Sequence, residues 1–320
     1  MKTNTKNPPQ QGQHIISDAY LSQFAFRTKG NHKKIKVIQR GYEGVREVSV
    51  SIFNREFNYF DIESDNPEIE RLFENFNGPL ETQYPKIINE LSSTGSLEIQ
   101  NASYLIHFTG NLISRSLMWR EEILEVLKTE DKSNFIKEII APSFENQEEL
   151  DRIEESELFI NLNRLTPENL INRILVFFNE YLFQRFQYFD MIFFRAPVGK
   201  SWFTTNNPVL LENHIGKFNF LTPESEVYFP LSLEYLVFIC CSNSNNQSNP
   251  LRKYQVNAIH DFPESMFDEL NHKIVGNTTD YVVCPPECET TTRTYNKPVK
   301  NAENLASNPL APLLLFNNHL

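Results

Sequence analysis

The apolar positions change period several times along the chain, and each change marks a predicted element. Residues 1–13 are polar, carry Pro8–Pro9 and predict no packed structure. Ordered structure is expected from His14. In "HIISDAYLSQFAF" the residues Tyr20, Leu21 and Phe24 fall at helical spacing behind Ser17 or Asp18 as a cap. From Ile35 to Phe60 the pattern alternates, which predicts two or three strands with Gly41 and Gly44 in turns. Residues 64–91 return to helical spacing. Ser64 or Asp65 caps the start, Pro67 occupies the first turn, and Glu68 and Glu70 sit near the positive end of the helix dipole. Gly78–Pro79 should break or kink this helix before a second one over "LETQYPKIINELSS". A third helix is predicted from Ile99 to Lys128, on Tyr104, Ile106, Phe108, Leu112, Leu117, Ile123 and Leu127, followed by acidic helical segments over 130–165.

Thr166–Pro167–Glu168–Asn169 starts a helix that should run to about Gln187. Two apolar runs, "YFDMIFFRA" and "SWFTTNNPVLL", follow on either side of "PVGK" and predict an antiparallel hairpin. "VYFPLSLEYLVFICC" adds strand, with Pro230 at an edge or bulge. "KYQVNAIHDF" predicts a strand or helix, "MFDELNHKIV" a helix, and the Thr-, Asn- and Pro-rich sequence after Cys284 an extended tail. The expected fold is therefore α+β, a mostly helical single domain over 14–283 with a small antiparallel sheet of hairpins, flanked by tails over 1–13 and 284–320.

Composition narrows the class. Of 320 residues, 40% are hydrophobic and 26 are Phe, which requires a folded, aromatic-rich core. Only 10 Gly argue against a glycine-looped dinucleotide fold. The net charge of −11 opposes non-specific nucleic-acid binding, but it is unevenly spread. Arg27–Arg40 holds six Lys or Arg and no acid, while acids dominate from Glu121 to Glu157. Both stretches read as solvated faces. The sharper readings are a patch for an anionic small molecule or nucleic acid at Arg27–Arg40, and a protein-partner surface at Glu121–Glu157. The adjacent Cys240–Cys241 and the pair Cys284 and Cys288 lack zinc spacing, so no metal site is predicted and the cofactor is left open. The N-terminus has no secretory pattern and no apolar run reaches the ~20 residues of a membrane span, giving an expectation of a cytoplasmic protein.

Standard catalytic motifs are missing. "VGKS" ends like a phosphate-binding loop, yet the required first glycine falls on Phe194, and no H-E-x-x-H or G-x-S-x-G is present. Three constellations remain. His14 precedes a helix, where the dipole disfavours its charged form, so it is either a neutral base or ligand, or a capping or core histidine. Arg115 and Arg120 share a helix; the apolar surroundings of Arg115 demand an anionic or carbonyl partner, within the chain or from a ligand. Asn206 and Asn207 offer amide donors and acceptors to a buried partner, or form an Asx turn before Pro208.

In order and spacing over roughly 14–283, the chain resembles the uncharacterised family called domain of unknown function 4238. His14, Tyr20, Leu21 and Phe24 match its His-x-x-Pro-x-x-Tyr-Leu-x-x-Phe opening. Ile69–Glu70 match an Ile-Glu helix, Arg115 and Arg120 an Arg-Thr-Pro-x-x-Arg helix, and Phe203, Thr204, Asn207 and Pro208 a Phe-x-Thr-Ser-Asp-Asn-Pro segment. Phe229–Ser232 match Phe-Pro-Leu-Ser, and "YQVNAIHDF" a closing Val-Asn helix. Ser17 stands in place of a proline and Ser116–Leu117 in place of Thr-Pro. The resemblance also implies that Asn77 and Asn206 stand where glutamate and aspartate are usual, so two candidate metal or acid–base carboxylates are amides here.

These readings favour an intracellular binding or sensing domain in which His14, Arg115, Arg120, Asn206 and Asn207 hold an anionic ligand such as a nucleotide or phosphate. The alternative is a hydrolase or nuclease acting on phosphodiesters, of the defence or toxin-effector type. His14 would be its base, Arg115 its charge stabiliser, and Glu70 or Asp190 a surviving carboxylate.

Overall fold

The computed structural model describes residues 12–27, 32–40, 44–212, 221–241 and 248–287. Most of the segments expected as terminal tails, and Cys288, lie outside the described residues. The first described strand, β1 (Gly12–His14), carries a buried Gln13, whose amide accepts from Phe60 N (2.7 Å) and donates to Asp61 (2.6 Å). Next comes α1 (Asp18–Leu21), extended by a 3-10 turn through Phe24, and together they bury Tyr20, Leu21 and Phe24. The strands β2 (Phe26–Arg27), β3 (Lys33–Gln39), β4 (Arg46–Ser49) and β5 (Arg55–Phe57) follow. β5 pairs with β1, and Gly44 turns with a φ of 73°.

The helical layer starts at α2 (Pro67–Glu70), capped by the Asn66 side chain rather than by Ser64 or Asp65. α3 (Leu72–Thr94) then runs unbroken through Gly78, Pro79 and Pro85, correcting the expected division at Gly78–Pro79. Its buried face, Phe73, Leu80, Tyr84, Ile87 and Leu91, offsets the local cost of the prolines, and it stops where Gly95 turns left-handed at φ 80°. The single helix expected over 99–128 is two, α4 (Ile99–Arg115) and α5 (Leu117–Leu127). Between them Ser116 is extended, and its hydroxyl caps the Trp119 N–H. α6 (Lys132–Ile140), α7 (Gln147–Asp151) and α8 (Glu157–Arg164) form the acidic segments, and α9 (Pro167–Phe186) begins at the Thr166 cap as expected. α4 and α9 approach closely at Gly110, where an added Cβ would lie 3.2 Å from Asn179 Oδ1 and 3.3 Å from Leu182 Cβ. On the same face of α4, His107 stacks on Phe183, and burial holds its pKa down at about 4.

The rest of the chain is β6 (Asp190–Arg195), β7 (Thr204–Thr205), β8 (Leu210–Glu212), β9 (Glu226–Pro230), β10 (Tyr235–Cys240), β11 (Ile259–Asp261), α10 (Glu264–Gly276) and β12 (Tyr281–Cys284). One sheet has the order β11-β6-β10-β9-β8; in the other β3 pairs with β2, β4 and β12, and β12 with β7. Among the described residues, only the β11–β6 pairing is parallel. The fold is α+β.

The hairpin predicted around "PVGK" does not form: β6 pairs with β10 and β11, while β7 joins β12 in the other sheet. The hairpin is β9–β10, and Pro230 ends an interior strand rather than an edge. The apolar runs mislead because this sheet is covered on both faces. Phe193, Val237 and Ile239 face the main core with the helices, whereas Ile192, Phe194, Leu236 and Phe238 face a second cluster built on Trp202, Phe262, Phe267 and Ile274. Without an alternation of apolar and polar positions, nothing local chooses the neighbouring strand.

Candidate functional site

A cleft of about 700 Å³ opens where three elements meet. Asp18, Ala19 and Ser22 come from α1 and its turn, Gly78, Glu81 and Thr82 from α3, and His32 and Lys33 from the start of β3, beside Ser49, Val50 and Ser51. The first turn of α1 presents Asp18 and, one turn on, Ser22, whose hydroxyl donates to the Asp18 carboxylate at 3.3 Å. Lys33 is exposed, and its ammonium pairs with none of the described residues. The hydroxyls of Ser49 and Ser51 lie 3.1 Å apart on the same wall.

His14 and Arg115 come together beside this cleft. The His14 ring is half-buried, and one nitrogen bonds the backbone of Ser51. Nε2 is buried without a protein partner. Burial lowers its pKa below 6.5 against the opposing pull of Asp18, with Arg55 lowering it further, so the imidazole is neutral at neutral pH. Arg115 is 1% exposed. Its guanidinium donates to the His14 carbonyl, to Ile15 O at 3.2 Å and to Glu81 at 2.5 Å, lies 3.8 Å from Glu74, and sits over the Phe60 ring at 5.3 Å. This is an internal salt bridge rather than a contact left open to a ligand: each guanidinium nitrogen has a partner within the chain. Burial raises the pKa of Glu74, and Arg115 only partly offsets it.

The other residues singled out in the sequence lie elsewhere. Arg120 bonds Asn172 at 2.5 Å and stacks on Tyr59 at 4.6 Å. Asn206 Oδ1 accepts from Thr278 Oγ1 (2.7 Å) and from the N–H groups of Thr279 (3.2 Å), Asp280 (3.1 Å) and Tyr281 (3.4 Å), pinning the turn before β12. Asn207 is buried beside Met118 with Oδ1 unpartnered. Glu70 is on α2 and Asp190 at the start of β6, neither in the cleft lining. Asn77 is buried, bonded to Asn111 of α4. Among the described residues, no cleft described here is lined by His14, Arg115, Asn206 and Asn207 together. The carboxylates that His14 meets are Asp18 and Glu81. The α3 pattern Glu74, Asn77, Glu81, at steps of three and four, marks one helix face and was the available signal for the second.

The matching motifs of the sequence meet in the interior. Tyr20 Oη bonds Thr204 Oγ1 at 2.6 Å and donates to Pro230 O at 2.8 Å, Tyr84 Oη donates to Leu231 O at 2.7 Å, and Ser232 Oγ accepts from Glu234 N and Tyr235 N. Among the described residues, no three His, Cys, Asp or Glu side chains cluster as metal ligands, and no helix is long and apolar enough to cross a membrane. A family model described as "Protein of unknown function" matches residues 12–287. No curated protein and no solved structure matches the chain.

Proposed function

We propose that this chain, which belongs to the DUF4238 family, binds a phosphorylated, hydroxyl-bearing small molecule such as a nucleotide in the cleft between α1, α3 and β3. The supporting observation is the division of its walls. Lys33 and His32, with the hydroxyls of Ser49 and Ser51, offer donors to an anion, and Lys33 belongs to the basic run Arg27–Arg40. Asp18 opposite accepts from hydroxyls, and Glu81 is neutralised by Arg115. A volume of about 700 Å³ suits a ligand of nucleotide size. The anion is met by Lys33 rather than by Arg115, whose donors are occupied. Calorimetric titration with AMP, ATP and inorganic phosphate tests this. The full chain should bind a nucleotide, and Lys33→Glu should weaken it by about 10-fold or more, the value of one charge-assisted contact. No heat at about 1 mM nucleotide, or equal affinity in the variant, would overturn the reading.

His14 favours a second reading. A neutral imidazole held by Ser51 beside Asp18, with its buried Nε2 unpartnered, would take a proton from a water that a bound substrate admits to that nitrogen, making the site a phosphodiesterase or nuclease. Bis-p-nitrophenyl phosphate and single-stranded RNA are the probes. Turnover should vanish in His14→Asn, and its acid limb should fall below pH 6.5, because a base with a depressed pKa stays unprotonated there. An unchanged rate in His14→Asn would remove this role.

A further inference from the structure

On the helical layer, away from the cleft-lining elements, a groove runs between the C-terminal turns of α9 and the chain from α6 to α8. Its first part, about 460 Å³, is walled by Phe144, Leu150, Tyr181 and Tyr188, with Glu138 and Arg185 on its lip. Through Phe144 it continues into a second depression of about 400 Å³ bordered by Glu148, Glu149, Arg152 and Glu155. Tyr188 is 77% exposed, a large aromatic ring left in water immediately after a helix.

The charges of this face are one-sided once internal pairs are removed. Residues 145–157 hold seven acids and one base. That base, Arg152, is already bonded to Glu155 at 2.8 Å and 2.9 Å. Arg185 is likewise used by Glu138 at 3.3 Å, and it lies over the Tyr181 ring at 5.3 Å. What remains outward beside the apolar walls is carboxylate, on the exposed Glu148 and Glu149 of α7. A nucleic acid or an anionic lipid surface would be repelled here, while a cationic chain would be held.

We infer that this groove is a docking site for a basic polypeptide segment, one that places an aliphatic or aromatic side chain against Tyr188, Phe144 and Leu150 and its flanking Lys or Arg against Glu148 and Glu149. Apolar walls alone would take any hydrophobic peptide; the adjoining carboxylates select the basic one. The site is independent of the nucleotide reading, because none of its residues lines that cleft.

The probe is a fluorescein-labelled dodecapeptide in which lysines and arginines flank one Leu-Trp pair, titrated with the full chain at physiological salt and read by anisotropy. Saturable binding is expected. It should weaken about 10-fold or more in Tyr188→Ala, in the double variant Glu148→Lys/Glu149→Lys, and when Leu-Trp is replaced by Ser-Ser in the peptide. Lys33→Glu should leave it unchanged. All substituted side chains are exposed, and matching thermal melts would confirm that the variants are folded. No saturation up to about 1 mM, or equal binding of the Ser-Ser peptide, would overturn the proposal, the latter reducing it to attraction by the net charge of −11. Concentration-dependent dimers of the full chain that Tyr188→Ala abolishes would assign the groove to a second copy instead and equally overturn it.

Discussion

Arg115→Met will lower the stability of the chain by about 3–5 kcal/mol, the usual cost of removing one partner from a buried ion pair. The side chain is 1% exposed, donates to three acceptors and lies 3.8 Å from a fourth carboxylate oxygen, on Glu74. Removing it leaves Glu81 without its 2.5 Å partner and Glu74 without its nearest cation. The carbonyls of His14 and Ile15 also lose their donor, and with it the tie that holds the first strand of the domain against α3 and α4. Urea unfolding should show the loss as a lower midpoint at unchanged slope. Arg115→Lys should recover only part of it, because an ammonium keeps the charge but not the planar fork. A loss below about 1 kcal/mol would class the pair with solvent-screened surface bridges and sink this account. Loss of binding in an Arg115 variant would report a collapsed cleft wall, so Lys33 is the side chain whose substitution tests contact.

Asn206→Ala should cost about 2–4 kcal/mol, while Asn206→Asp should stay within about 1 kcal/mol of the parent. One oxygen accepts from three backbone N–H groups and one hydroxyl of the segment 278–281, so its removal leaves several donors facing the interior. A carboxylate can receive the same bonds. The Nδ2 bond to Thr279 Oγ1, at 2.6 Å, is the one it cannot make as a donor, but a hydroxyl can reverse and donate. Chemical denaturation of both variants is the measurement. Equal destabilisation by Ala and Asp would show that the acceptor oxygen is not what the turn requires. If the two differ as expected, amide against carboxylate at this position says nothing about catalysis. Either residue serves as the latch of a turn, and the sequence-based preference for binding over chemistry loses this support.

Local signals in the sequence carried most of the helices. Pro67, Thr166–Pro167 and Ser116 each sit at or next to a helix start, but only the first two were legible, because Leu117 lacks the ring that announces a first-turn position. There Ser116 acts as the cap and Leu117 as the first helical residue, so the helix start rests on the hydroxyl alone. Sequence alone divides α3 because proline is a local penalty, and only the long buried face, which is a tertiary fact, outweighs it. Strand existence was readable and strand partnership was not, since β6 and β10 are apolar on both faces. The cleft was the least legible feature. Asp18, Lys33 and Glu81 are unremarkable solvent-type residues in sequence, and they share a site only because α1, β3 and α3 converge there. The buried polar residues Arg115 and Asn206 are conspicuous in sequence because a fold needs them satisfied.

The placement of β12 bears on how the chain reaches this state. It lies between β3 and β7, so Val283 lies opposite Val37 on one side and Thr204 on the other. A ribosome delivers residue 37 long before residue 283, and the inner edge of β3 must wait through nearly the whole of synthesis for its neighbour. The helices can form from local contacts meanwhile, but this sheet closes only by a long-range pairing that carries a large loop entropy. Folding should therefore be slow to finish and gated by the last strand. During that interval Ile35, Val37 and Ile38 form an uncovered apolar edge of the kind that chaperones bind and aggregates recruit.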